Sequence, residues 1–121
     1  MTATLAISDE ALVGKSVIGA AEALGLTREQ LANAIGVSVP TVARMKSGGA
    51  VPGNKPFELS LMVIRIYRAL FAIVGGDNAS MKHWMSTPNK HFSGECPNDL
   101  IQKVDGISQL VWYLDAMRGR I

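Results

Sequence analysis

Apolar residues recur three and four positions apart along most of this chain. No stretch alternates long enough to be a strand, so the pattern predicts helices throughout. Residues 9–25 place Leu12, Val17, Ile18, Ala21 and Leu24 at helical spacing, and Gly25 is free to take the positive φ that closes a helix. Thr-Arg-Glu-Gln at 27–30 has the form of a capping box: the Thr27 hydroxyl satisfies an N–H three residues on and Gln30 reaches back. Leu31 and Ile35 follow at i, i+4, and Gly36 ends that helix. Ser38 is a cap for the next, Pro40 falls in its first turn where a missing N–H costs little, and Val42 and Met45 face inward before Gly48 stops it.

Residues 48–56, Gly-Gly-Ala-Val-Pro-Gly-Asn-Lys-Pro, are rich in glycine and proline and mark the best boundary in the chain. The expected organisation is therefore residues 1–50, a linker at 51–56, and residues 57–121. The second part opens with a helix over 57–74 that is apolar nearly all round. Leu59, Met62, Val63, Ile66, Leu70, Ile73 and Val74 make one face, and Phe57, Leu61, Ile64, Tyr67 and Phe71 most of another. Such a helix must be buried on more than one side, which points to a self-association surface on or beside it. Shorter helices are expected at about 78–86 (Met81, Trp84, Met85), at 97–104 (Leu100, Ile101, Val104) and at 107–118 (Ile107, Leu110, Val111, Leu114). Asp105-Gly106 is expected to separate the last two. The fold class is all-α.

Composition narrows the function. The chain is 48% hydrophobic over 121 residues, apolar enough that part of the surface is expected to be shared with a partner. Its longest unbroken apolar run, 69–74, falls far short of the roughly 18 residues a membrane span needs, so no membrane association is expected. A single cysteine, Cys96, excludes an internal disulfide framework; with no basic-then-apolar leader pattern at the start, a cytoplasmic location is expected. Net charge is only +2, split evenly between residues 1–55 and 56–121, so a case for nucleic acid must come from local residues. His83, His91 and Cys96 are too irregularly spaced for a metal site, and no base or oxyanion site accompanies the cysteine. No catalytic residue, metal or cofactor is expected.

A short helix, a tight turn at Gly36-Val37 and a second helix make a helix-turn-helix. Ala32, four residues before Gly36, is small where the two helices cross. Residues 36–48 carry valines, a threonine and a proline, all poor helix formers. A helix held by its neighbours and selected for what it offers a groove tolerates that. Ser38, Val39, Thr41, Arg44 and Ser47 point outward. Hydroxyls and a short apolar residue suit base edges and thymine methyls, and Arg44 can pair bidentately with guanine. Arg28 and Lys46 are placed for phosphates. The expected partner of this half is operator DNA, bound by a homodimer.

The helix-turn-helix over about residues 9–50 resembles the Xre type found in phage repressors and many antitoxins. The second half resembles the toxin-binding domain of the Xre/MbcA/ParS antitoxin family. That pattern is carried here by Trp84, Pro88, Asn89, Gly94, Pro97, Asp99, Leu100, Gly106, Val111, Leu114 and Gly119; Met85 and Phe92 stand where leucine is commoner. Pro97 also reads as a helix start, Gly106 and Gly119 as helix ends, and Trp84 as core. The resemblance implies a type II antitoxin that inhibits a cognate toxin, commonly a RES-domain enzyme that degrades NAD, and represses their shared operon. It also implies a higher toxin–antitoxin complex. Implied toxin contacts are Asn89, Asp99 and the C-terminal Arg118, Gly119, Arg120 and Ile121, a tail with two cations suited to a pocket built for a charged dinucleotide. The alternative is a free-standing phage-like repressor whose C-terminal half only dimerises.

Overall fold

The computed structural model describes residues 8–119. It holds seven α-helices in the order α1 (Asp9–Leu24), α2 (Arg28–Ile35), α3 (Val39–Lys46), α4 (Asn54–Ile73), α5 (Asn78–Met85), α6 (Pro97–Leu100) and α7 (Val104–Arg118). A short 3-10 turn at Lys90–Phe92 lies between α5 and α6, and no strand occurs among the described residues.

Helix ends follow the local chemistry. Ser8 caps α1, its hydroxyl accepting from the Ala11 N–H, and Gly25 closes the helix at φ 79°. Both arms of the Thr27/Gln30 capping box form, each at 3.0 Å. Ser38 caps α3 and Pro40 sits in its first turn.

The long α4 organises the rest. Val63, Ile66, Ala69 and Leu70 are buried along one side of it. Around them α1 and α2 pack on one flank and α7 on the other, so a single core runs from Val17 and Leu24 through Ile35 and Met45 to Ile107, Leu110 and Leu114. An Asn33 amide also donates to Gln102 Oε1 at 2.9 Å, joining α2 to the turn between α6 and α7.

Three expectations are corrected. The linker at 51–56 is helical from Asn54 onward, and Val51 within it is buried, its N–H donating to Glu10 O at 3.1 Å. The proline at 56 lies in the first turn of α4, where it is compatible with a helix, so the Gly/Pro-rich stretch gives way to helix after Gly53 and not after Pro56. Secondly, Asp105-Gly106 does not divide two helices. The helix expected over 97–104 stops at Leu100, and Asp105 and Gly106 belong to the first turn of α7, where Gly106 is buried. Its role is close approach: a Cβ there would lie 2.1 Å from the Leu100 carbonyl oxygen. Thirdly, Val104 is 78% exposed and contributes nothing to the core.

Candidate functional site: a recognition helix and a C-terminal partner surface

The helix-turn-helix is built as its residues require. Gly36 takes φ 75°, and the N–H groups of Gly36 and Val37 both donate to Ala32 O, at 2.9 and 3.0 Å, making the tight turn. Ala32, Ile35, Val42 and Met45 are buried beneath it. This leaves α3 on the surface with Ser38, Val39, Arg44, Lys46 and Ser47 exposed and Thr41 half-buried.

Those side chains are not equally free. The Ser38 hydroxyl caps the helix by accepting from the Thr41 N–H, and the Ser38 and Thr41 hydroxyls bond each other at 2.9 Å. Ser47 Oγ reaches back to Ala43 O at 3.4 Å. Lys46 is paired with Glu22 of α1 at 3.1 Å, both side chains at least half exposed. Sequence spacing gave no hint of this contact because it joins two helices. Arg28 and Arg44 are exposed cations at the two sides of the turn, and Arg44 lies on the outward face of α3.

In the second half, Asn89 is an architectural residue. Its side-chain oxygen accepts from the His91 N–H at 2.9 Å, and its backbone carbonyl takes the Phe92 and Gly94 N–H groups. Its own N–H donates to Glu95 O at 3.1 Å. The loop so formed carries an aromatic cluster. Tyr113 of α7 lies 4.9 Å from His91, 5.1 Å from Phe92 and 6.5 Å from Trp84, ring centre to ring centre. Trp84 is half-buried in that cluster and packs against the central core, to which Phe92 belongs. Asp99 is exposed on α6, and Lys103 nearby bridges to Glu95 at 2.9 Å. The hydrogen bond and charge of Glu95 hold the Lys103 ammonium above the ordinary lysine range.

The C-terminal candidates separate. Arg118 ends α7 and lines a shallow depression with Tyr67, Arg68, Phe71 and Ala72. Gly119 caps the helix with right-handed backbone, its N–H donating to Asp115 O at 3.0 Å. Arg120 and Ile121 lie outside the described residues. The sequence reading missed Trp112, which is 76% exposed on α7. Its signal was available: it falls opposite Ile107, Leu110 and Leu114 on the helix, where a polar residue is expected. No group of three or more metal-ligating side chains occurs among the described residues, and none of their helices is long and apolar enough to cross a membrane.

Comparison with known proteins accords with both halves. Residues 5–65 match a family described as the antitoxin Xre-like helix-turn-helix domain, and residues 69–120 match the antitoxin Xre/MbcA/ParS C-terminal toxin-binding domain. The mycobacterial cidal antitoxins MbcA of Mycobacterium tuberculosis (strain H37Rv) and Mycobacterium bovis are each 33% identical over 107 residues, covering 88% of this chain and 91% of theirs. A chain in the crystal structure of the M. tuberculosis MbcT–MbcA toxin–antitoxin complex superposes with a TM-score of 0.68 at 25% identity, covering 91% of this chain and 96% of that one. A second half that only dimerises would not account for the match to a toxin-binding domain.

Proposed function

The chain belongs to the Xre/MbcA/ParS family of antitoxins, and from that premise we propose that it neutralises a toxin encoded beside it and represses the operon the two share. The observation that carries the reading is the union, in one chain, of a fully capped helix-turn-helix with a segment matched to a toxin-binding domain. MbcA, its relative, is found in complex with the toxin MbcT. The partner proposed here is a RES-domain enzyme that consumes NAD, approached by the C-terminal residues Arg118, Gly119, Arg120 and Ile121.

On the DNA side, α3 reads the major groove. Arg44 is the base-reading residue, Val39 and Thr41 offer apolar contact to a thymine methyl, and Arg28 and Lys46 neutralise phosphates. So few cations bind weakly from one copy, which favours a two-fold dimer on half-sites about one helical turn apart. The dimer face is the outer side of α4 with α1, where Leu12, Leu61 and Phe71 remain 52%, 45% and 44% exposed. The functional reading is tested by co-expressing the chain with the product of the adjacent reading frame. The two are expected to co-purify, and growth and cellular NAD are expected to be protected. A neighbouring product that never associates with this chain would overturn it.

A further inference from the structure

Neighbouring depressions on the surface of the DNA-binding half share their cations. One, between α1, α2 and α3, has Glu22, Arg28 and Lys46 on its walls. The next, between α1 and the C-terminal end of α3, is lined by Ala11, Lys15, Ile18, Lys46, Ser47 and Gly48. Lys15 also lines a third, on the α1–α4 face, together with Leu12, Ile64 and Arg68. It therefore stands on the strip of α1 that separates the end of the recognition helix from the face proposed for the dimer.

The charges on this strip are unequally committed. Lys46 is bridged to Glu22 at 3.1 Å, so that pair adds no net charge to the flank of α3. Lys15 is exposed and has no ion-pair partner among the described residues. The other acids of α1, Asp9 and Glu10, lie about 120° and 140° round the helix from it, at about 100° per residue. From α4 the shared depression receives a second cation, Arg68, and no carboxylate stands on its walls. Lys15 thus supplies the net positive charge of this flank.

We propose that Lys15 is a DNA phosphate contact, made from α1 to the backbone strand that runs beside the C-terminal end of the recognition helix. The proposal rests on the DNA reading above, which it extends to a helix outside the helix-turn-helix. An α-helix with its side chains is about 10–12 Å across and fills a major groove about 12 Å wide. Side chains that stand beside such a helix, rather than on its outward face, meet the sugar–phosphate strands. Lys15 stands beside α3 where Ser47 and Gly48 end it. The proposed dimer face lies on its other side, so in a two-fold dimer the two copies of Lys15 lie toward the stretch between the half-sites. A second copy of the chain is the poorer partner for this ammonium, because it brings the same patch with the same cations, whereas DNA brings phosphates. A contact of this kind positions the protein and strengthens binding to every sequence alike.

The test uses the full chain, a duplex from upstream of its own reading frame and an unrelated duplex of equal length. Lys15→Gln is expected to weaken binding to both by about three- to tenfold. It should also lower the slope of log affinity against log salt by about one for each copy bound. Lys15→Arg is expected to restore that slope, because a phosphate needs a cation there and not a particular shape. Helix content and self-association are expected to match wild type. A measurement without substitution accompanies this: in lysine acetylation read by mass spectrometry, Lys15 is expected to lose reactivity when either duplex is added. An unchanged salt slope in Lys15→Gln, or a Lys15 that stays reactive on DNA, overturns the proposal. Loss confined to the upstream duplex also overturns it, by making Lys15 a base reader. So does loss of self-association in Lys15→Gln, which would place the residue in the dimer contact. Wild-type protein that binds neither duplex overturns the DNA reading itself, and this one with it.

Discussion

Gly106 and Lys46 illustrate how a residue's role depends on contacts that its neighbours in sequence do not reveal. A Cβ at 106 meets the Leu100 carbonyl at 2.1 Å, and that obstacle is backbone, which cannot swing away like a side chain. Gly106→Ala is therefore expected to destabilise the chain by about 1–3 kcal/mol, the cost typical of overpacking. Urea denaturation monitored by circular dichroism measures it; an unchanged midpoint would mean that the α6–α7 turn moves freely. On the DNA face, Arg44→Ala is expected to weaken operator binding by about 1–3 kcal/mol per half-site, the value of a bidentate contact to guanine. Toxin neutralisation should be unaffected, because Arg44 lies on α3, away from the C-terminal half. Undiminished operator binding would show that α3 is not the reading helix. Lys46 is held by Glu22 at 3.1 Å, so its pairing with a phosphate competes with that bridge. Surface pairs of this kind are worth up to about 1 kcal/mol, so Glu22→Gln is expected to tighten DNA binding by at most about fivefold. The salt dependence should steepen by about one phosphate contact. Weaker binding in a titration across salt concentrations would indicate that Glu22 positions Lys46 for DNA.

At the scale of the element, α4 explains why an almost uniformly apolar helix occurs in a chain this small. Val63, Ile66, Ala69 and Leu70 serve the core of a single copy, since Ile66 and Leu70 are 0% and 1% exposed. A charge at either would unfold the monomer and say nothing about self-association. The informative positions are Leu61 and Phe71, which remain nearly half exposed. Leu61→Glu is expected to convert a dimer to a monomer with helix content preserved, whereas Ile66→Glu is expected to unfold the chain. Light scattering at micromolar concentration with circular dichroism separates the two. A wild-type chain that is monomeric under these conditions, or a Leu61→Glu protein that remains dimeric, places the dimer contact elsewhere.

Considered whole, the molecule couples its two halves through one core while the surfaces proposed for DNA and for toxin lie on different helices. Removing residues 118–121 takes away two cations but spares Leu110 and Leu114, which anchor α7 at 0% and 1% exposure. The truncated protein is expected to fold and to bind its operator as wild type does. If the tail enters the toxin's dinucleotide pocket, truncation is expected to release toxin activity even if part of the complex survives. Growth and NAD level on co-expression report this. Complete protection by the truncated protein would assign inhibition to the Trp84–Asp99 region or to toxin assembly.

Several features were determined by the sequence alone, because they depend on residues a few positions apart. The capping box at Thr27, the positive-φ glycine at 36, the proline in the first turn of α3 and the helical period of α1 to α5 are interactions within one or two turns, so spacing suffices to place them. The resemblance to an antitoxin was legible for the same reason: it rests on residues at fixed intervals. Tertiary structure decided the rest. Only packing shows that Gly106 is a point of contact rather than a helix end. Only packing ties Lys46 to α1 and turns Ile66 inward and Leu61 outward on the same helix. These outcomes depend on which helix lies across which face. That choice is made by the summed burial of many side chains distant in sequence, and no local pattern records it.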